Sequence, residues 1–234
     1  YYLYAEPQFG HASSCIISDF FARFKSIDGF NLTVLTGTDE HGLKNQRATE
    51  KKCLYTLKFC NEISQTFRDL SKTLNLTNTD FIRTTEDRHK KSVQNLWSEL
   101  EKNEDIALSK YSGWYSVSDE AFYTEDEIEE VNGEKLSISS KSPVEWMDEE
   151  SYFFRLSKWE KPLLDYYEKN PNFISPIARK NEVVSLVKGG LKDLSVSRKS
   201  FSWGIQVPNN KNHVIYVWLD ALTHYISALN YPDI

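Results

Sequence analysis

The chain has 234 residues, of which 40% are hydrophobic and 14% aromatic, so it is too apolar for a disordered protein and long enough for a substantial core. Its 28 Lys and Arg against 34 Asp and Glu give a formal charge of -6, which excludes a globally basic nucleic-acid-binding surface and requires any RNA contact to be local. The longest apolar run, residues 214–219, is too short to cross a bilayer, and the odd count of three cysteines favours a reducing compartment.

The first elements along the chain predict a βαβ unit of about 30 residues. An extended pattern at residues 1–5 precedes a helix that is predicted to begin near Ala12 and to end at Asp28. Residues 30–35 favour the next strand. Because such a crossover is right-handed, the polar clusters at the ends of the two strands should face one crevice.

Those two polar clusters predict a nucleotide-using site. Gly10 lets a phosphate approach the backbone, and the N–H groups of the following helix offer positive potential to a polyphosphate. His11 can donate a hydrogen bond to phosphate. Asp39 and His41 come just after the second strand, where open α/β sheets hold their ligands. An aspartate there suits an ammonium group.

A helix, a strand and a second helix are predicted next. Apolar residues at positions 59–74 recur at helical spacing, and residues 80–84 favour a short strand. Thr84 is predicted to cap the following helix, which buries Val93 and Trp97 among its inner residues.

The pattern changes after Asn103, where short β-rich runs argue for an insertion. The acidic residues 125–134 predict a loop or hairpin, and helical spacing returns later in the insertion. Residues 213–218 favour a fully buried strand, followed by a helix over 220–229, so the main sheet is expected to resume there.

Several stretches carry a resemblance along essentially the entire chain. Residues 7–11, Pro-Gln-Phe-Gly-His, resemble the HIGH signature of class I aminoacyl-tRNA synthetases. Residues 36–42, Thr-Gly-Thr-Asp-Glu-His-Gly, are similar to a segment specific to methionyl-tRNA synthetases. The other matching stretches, in the family's order, are residues 80–86, 113–115, 150–155 and 216–222.

The resemblance implies that Pro7, Gln8, Gly10 and His11 bind ATP, and that His11 with Gln8 acts on its phosphates during adenylate formation. Gln8 stands where the signature has its first histidine. A glutamine donates a hydrogen bond but carries no positive charge, so phosphate stabilisation is expected to be weaker or differently arranged.

The resemblance also assigns residues to methionine. Asp39 would bind the ammonium group and Arg198 the carboxylate, although alone the first is more often a turn or cap residue and the second a surface residue. An apolar slot for the thioether is implied at Tyr2, Trp218, Ala221, Leu222 and Tyr225. Each alone is ordinary core, whereas together they suit an unbranched thioether. His41 is expected to orient the site without touching substrate.

The implied fold is α/β, with a Rossmann-like parallel-sheet nucleotide-binding domain at residues 1–104 and 209–234 and an inserted α+β connective domain at residues 105–208. The implied activity is that of a methionine-tRNA ligase, which uses ATP with Mg²⁺ to form methionyl-adenylate and then charges tRNA(Met). Methionine, ATP and tRNA(Met) are the expected partners, and DNA and membranes are not. The cytoplasm is the expected location, with a mitochondrial or other organellar matrix as the alternative. The segment is expected to be incomplete, with the lysine-bearing KMSKS loop beyond residue 234.

No metal site is predicted. Many relatives carry zinc-binding cysteine pairs after the Gly-Trp-Tyr segment, but Ser116 and Asp119 occupy the positions of the first pair and no cysteine follows Cys60. Without thiolates at ligand spacing, a structural zinc is not expected. The insertion is instead predicted to pack through aromatic residues, namely Trp114, Tyr115, Phe122 and Tyr123.

Three alternatives stay open. Another class I synthetase, or a nucleotidylyltransferase with the same Gly-His phosphate motif, would differ in its amino-acid pocket. A non-catalytic tRNA-binding or assembly module derived from a synthetase has Gln8 as its only direct hint. A dinucleotide dehydrogenase is disfavoured, because no Gly-x-Gly-x-x-Gly follows the first strand.

Overall fold

The computed structural model describes residues 1, 3, 5–50, 55–116, 118–119, 121–131 and 133–233. The chain divides into two compact units, of which the first combines Tyr1–Lys102 with Val196–Ile234 and the second is Asn103–Ser195. The return to the first unit therefore comes at Val196, earlier than the predicted residue 209. The reason is that residues 197–198 pair with a strand of the first unit.

The N-terminal part of the first unit alternates helices and strands. Its elements are α1 (Phe9–Ile27), β1 (Leu35–Thr38), α2 (Leu43–Glu50), α3 (Thr56–Thr73), β2 (Asp80–Arg83) and α4 (Asp87–Lys102). β1 and β2 pair in parallel, with Leu35 opposite Asp80, so the predicted parallel sheet is confirmed. The strands come so close at Gly37 that a Cβ there would lie 2.0 Å from the Ile82 carbonyl oxygen, which makes glycine a requirement of this pairing.

Several predicted boundaries in this part are wrong. Helix α1 begins at Phe9 rather than near Ala12, and β1 begins at Leu35, so residues 30–34 are not a strand. Tyr1, Leu3 and Ala5 also carry no strand assignment. Thr84 does not cap α4: its hydroxyl accepts a hydrogen bond from the Glu40 N–H at 3.0 Å. Tertiary partners thus override local propensity at these positions.

The core of the first unit lies beside the parallel strands. A buried cluster joins Leu3, Cys60, Phe67 and Phe81, and Ile63 and Trp203 pack against it. By contrast, the apolar residues of α1 are exposed, with Phe20 at 65% and Phe24 at 53%. Among the described residues, no helix is long and apolar enough to span a membrane.

The second unit is α+β, as predicted for the insertion. Its elements are β3 (Ile106–Ser116), β4 (Ala121–Tyr123), β5 (Ile128–Val131), β6 (Glu134–Ser137), β7 (Glu145–Phe154), α5 (Glu160–Lys169), α6 (Ile177–Lys188) and β8 (Leu194–Ser195). Strands β4, β3, β7 and β8 form one antiparallel sheet in that order. The acidic stretch is the hairpin β5–β6. The Tyr115 and Phe122 rings pack 4.8 Å apart, which confirms part of the predicted aromatic packing.

The chain returns to the first unit with β9 (Ser197–Arg198), β10 (Gln206–Val207), β11 (Asn210–Ile215), α7 (Val217–Leu222) and α8 (His224–Ser227). β11 pairs antiparallel with both β9 and β10. The expectation that the parallel sheet resumes here is therefore wrong for the described strands. The short turn after Val207 forces β11 back along β10, and Val217 and Trp218 belong to a helix rather than to the strand.

Candidate active site

A cavity of about 400 Å³ lies along β1 and includes Asp39, the residue that follows its carboxyl end. One wall comes from β1 and the residue that follows it, and another wall comes from α7 and α8. The lining residues are Tyr1, Leu35, Thr36, Gly37, Asp39, Ile82, Ala221, Leu222, His224 and Tyr225. This volume is in the range of small-molecule sites, and the position agrees with ligand binding at the carboxyl ends of parallel strands.

Asp39 supplies the acidic group of this cavity. The residue is buried, and its backbone N–H donates a 2.7 Å hydrogen bond to the Tyr1 carbonyl. Ala221, Leu222 and Tyr225 present an apolar face from α7 and α8 across the same cavity. A carboxylate opposite an apolar wall can bind a small ligand that carries a cation at one end and an apolar group at the other.

The loop before α1 meets the cavity through Tyr1. The His11 ring packs against the Tyr1 ring, with centroids 4.9 Å apart, and against Phe67 at 5.3 Å. The Gln8 N–H donates to Nδ1 of His11 at 2.9 Å. Because Nδ1 accepts this bond, the proton of a neutral His11 lies on Nε2, which is then the donor for a ligand.

Gly10 leaves the first turn of α1 open. A Cβ at this position would meet no atom within 4 Å, so a ligand can approach the backbone there. The first N–H groups of an α-helix lack partners within the helix and favour anions. The loop is therefore suited to a phosphate group beside the cavity.

Behind the cavity, Asp220 joins two histidines. Its side chain has no solvent exposure, and its two oxygens accept hydrogen bonds of 2.7 Å from Nδ1 of His41 and from Nε2 of His89. Burial disfavours the carboxylate charge, but the two imidazoles outweigh that effect and hold the pKa of Asp220 below its ordinary value. His224, whose ring centroid lies 4.6 Å from that of His89, is neutral, since burial lowers its pKa to about 3.

A family model and curated proteins each match nearly the whole chain. The family model described as class I tRNA synthetases (M) matches residues 1–134 and 129–233. The chain belongs to this family. It is 54% identical over 233 residues to the methionine-tRNA ligase of Rickettsia typhi, covering 100% of this chain and 45% of that protein. It is 49% identical over 229 residues to that of Brucella suis, covering 97% and 44%.

Solved structures of synthetases show the same fold. The methionyl-tRNA synthetase of Mycobacterium tuberculosis bound by methionyl-adenylate is 46% identical, with a TM-score of 0.93 over 99% of this chain and 46% of that chain. Its apo form is 43% identical, with a TM-score of 0.80, over 98% and 44%. The Rossmann-type α/β fold of a class I synthetase is thus shown, and the chain spans less than half the length of these relatives.

The structure brings together only some of the residues predicted for the synthetase site. Asp39, Ala221, Leu222 and Tyr225 share the cavity. Trp218 is 54% exposed and is not among the lining residues. Tyr2 lies outside the described residues.

Arg198 is not the surface arginine that its sequence context alone suggests. It is 2% exposed on β9, where its guanidinium stacks 4.0 Å from the centroid of the Tyr216 ring. Its Nη1 donates to the Ser197 carbonyl at 2.8 Å. It is not among the lining residues of the cavity.

Sequence reasoning missed a second buried carboxylate in this synthetase chain. Glu40 is completely buried and accepts two hydrogen bonds from the Arg83 guanidinium, at 2.6 and 2.9 Å. Thr38 and Thr85 donate further bonds to it. The pair ties the segment after β1 to the end of β2. Burial opposes the guanidinium charge of Arg83, but the hydrogen bonds and charge of Glu40 outweigh it and raise the pKa of Arg83. A signal for this pair was present in the sequence, because Glu40 and Arg83 both lie in stretches that match the family.

At the positions compared with a zinc pair, Asp119 is the centre of a hydroxyl cluster. Its carboxylate accepts hydrogen bonds from Tyr123 and Ser142, each at 2.9 Å, and from Ser140. The Asp119 N–H donates to Ser116, and the Ser137 and Ser140 hydroxyls also bond. Partial burial opposes the charge, but the hydroxyl donors prevail and lower the pKa of Asp119. In the described part of the chain, no three His, Cys, Asp or Glu side chains form a metal-binding group.

Proposed function

We propose that this chain carries the amino-acid-activating site of a methionine-tRNA ligase. One observation carries the proposal: a cavity with Asp39 on one wall and Ala221, Leu222 and Tyr225 on the other, in a chain whose fold matches a synthetase solved with methionyl-adenylate. The Asp39 carboxylate would bind the methionine ammonium group. The apolar wall would take the thioether side chain. The resemblance also assigns Tyr2 and Trp218 to the thioether and Arg198 to the substrate carboxylate, although Trp218 and Arg198 do not line the cavity.

The phosphates of ATP would lie at the start of α1. Gly10 leaves the helix backbone accessible there, and His11 donates from Nε2 because its Nδ1 is occupied. Pro7 and Gln8 complete the loop. The methionine carboxylate would attack the α-phosphate of ATP, which arrives with Mg²⁺, to form methionyl-adenylate and release pyrophosphate. The enzyme would contribute alignment and charge neutralisation, and no covalent enzyme nucleophile is required.

The second step would pass the methionyl group to the terminal ribose of tRNA(Met) and release AMP. The proposal places the protein in the cytoplasm or in an organellar matrix, with no DNA or membrane partner. Residues 1–102 and 196–234 would form the nucleotide-binding domain and residues 103–195 the connective domain, for which we propose no structural zinc. Because the relatives are more than twice as long, residues 1–234 alone should aminoacylate negligibly.

The test is ATP–pyrophosphate exchange by the complete protein that contains this segment. Methionine should support exchange far better than leucine, isoleucine, valine or cysteine. Asp39→Asn should lower kcat/KM for methionine roughly 10²- to 10³-fold, because the ammonium group would be buried without its counter-charge. Asp69→Asn is the matched control, since Asp69 is 59% exposed on α3 and should leave exchange unchanged.

The same assay separates the alternatives. Preference for another amino acid would assign the chain to another class I synthetase. Exchange that requires an added acceptor other than an amino acid would indicate a nucleotidylyltransferase, because AMP must be transferred to an acceptor before pyrophosphate is released. A folded protein that shows no exchange with either kind of acceptor would support a non-catalytic module.

A further inference from the structure

The two walls of the cavity come from distant parts of the sequence. Leu35 to Asp39 form one wall, and Ala221 to Tyr225 contribute to the other. Suppose that a ligand binds the Asp39 carboxylate at one end and the α7–α8 wall at the other. Its affinity then depends on the distance between Asp39 and that wall. That spacing depends on contacts behind the cavity, since the walls share no strand pairing among the described residues.

Asp220 links the two sets of lining residues. It directly precedes Ala221 on α7, and its Oδ2 accepts a 2.7 Å hydrogen bond from His41, two residues after Asp39. His41 is 5% exposed and Asp220 is fully buried, so water does not compete for this contact. One carboxylate therefore connects α7 to the segment that follows β1.

A third element fixes the orientation of that carboxylate. Oδ1 of Asp220 accepts a 2.7 Å hydrogen bond from Nε2 of His89 on α4, which is also fully buried. Nδ1 of His89 lies 3.0 Å from the Ser227 hydroxyl, and this hydroxyl bonds to the Thr223 carbonyl at 2.8 Å. Each carboxylate oxygen has its own imidazole donor, so rotation of the carboxylate would break both bonds.

We infer that Asp220, oriented by His89, is a positioning residue that sets the distance between Asp39 and the α7–α8 wall through His41. The inference rests on the proposed function, because the ligand whose two ends it positions is the amino-acid substrate. Asp220 acts through His41 and the start of α7, since it is not among the cavity's lining residues. Loss of this network should therefore weaken the binding of the amino acid more than the binding of ATP, because the loop before α1 would hold the ATP phosphates.

A matched buried carboxylate is available as a control. Asp19 on α1 is 8% exposed and accepts hydrogen bonds from Arg23 and from the backbone and side chain of Thr77, each at 2.6 Å. Its side chain is 11% exposed, so it is less buried than Asp220, but it also accepts several hydrogen bonds and it does not line the 400 Å³ cavity. Asp19→Asn thus reproduces the loss of a buried charge without changing the wall spacing.

The experiment measures KM for methionine, KM for ATP and kcat in pyrophosphate exchange by the complete protein. Asp220→Asn and His41→Leu should each raise KM for methionine about tenfold, because small displacements of binding groups carry large costs. KM for ATP should change by less than about twofold. His41→Asn keeps an N–H donor near the position of Nδ1 and should restore most of the methionine affinity. Asp19→Asn should leave the ratio of the two KM values unchanged.

A loss of folding alone cannot produce this pattern, because unfolding lowers the active fraction without changing either KM. If Asp220→Asn fails to fold by circular dichroism, the His41→Leu and His41→Asn pair decides the question with the same ratio. Equal changes in both KM values, an unchanged KM for methionine, or no rescue by His41→Asn would overturn the inference. Wild-type protein without methionine-dependent exchange would overturn the proposed function instead.

Discussion

Each unit of the molecule contains a carboxylate that collects side-chain hydrogen bonds, but the two carboxylates have different surroundings. Asp220 in the first unit is fully buried between His41 and His89. Asp119 in the second unit is partly exposed and its partners are the hydroxyls of serines and a tyrosine. Both carboxyl groups have a lowered pKa. Neutral hydroxyls are thus sufficient to lower the pKa of a carboxyl group that water still reaches. The completely buried Asp220 instead has two imidazoles, which can carry charge, as its partners.

The largest expected effect is on stability after Asp220→Ala. This change leaves two buried histidine N–H donors without an acceptor, and each unsatisfied buried donor costs about 1–3 kcal/mol. Urea unfolding of the 234-residue chain measures the loss. A cost near that of the surface control Asp69→Ala would contradict the interpretation that the buried network supports the first unit.

Asp119→Ala should cost less. The serine and tyrosine hydroxyls that lose this acceptor can turn toward water, so the expected loss is about 1 kcal/mol. Hydrogen exchange measured by mass spectrometry over residues 113–145 should show faster exchange in the variant, while peptides of the first unit stay unchanged. Equal losses of stability in Asp119→Ala and Asp220→Ala would show that burial does not determine how much each carboxylate contributes.

The contribution of Asp119 to stability should depend on pH. A carboxylate whose pKa is lower in the folded protein stabilises it above the unfolded pKa, and this contribution is lost as the pH falls through the folded value. The free-energy difference between wild type and Asp119→Asn should therefore be full at neutral pH. It should decline from about pH 4 downward. Urea titrations at several pH values test this, and a difference that grows as the pH falls would contradict the assigned sign.

The smallest expected effect is that of metal removal. The hydroxyls around Asp119 bond to the carboxylate and to one another, so EDTA should leave the unfolding midpoint and the exchange of residues 113–145 unchanged. Thermal unfolding with and without chelator provides the measurement. A lower midpoint in EDTA that zinc restores would show that the second unit does bind a structural metal.

Local signals identified much of the fold but not its boundaries. Residues 80–83 form the predicted strand because Phe81 and Ile82 are buried apolar residues that follow a helix. Thr84 has the side chain of a helix cap, yet it bonds to Glu40, which lies 44 positions away. A propensity argument considers neighbours in sequence and therefore cannot anticipate that partner.

From the sequence alone we could identify the family, the parallel α/β pairing and the acidic and apolar residues that share the cavity. Those features depend on short motifs and on the period of the hydrophobic pattern, which are local properties. Only the tertiary structure decided that β11 turns back against β9 and β10, that Arg198 is buried against Tyr216, and that Asp220 joins His41 to His89. These features depend on contacts across long sequence separations, and no pattern along a single segment records which distant side chain completes a buried hydrogen bond.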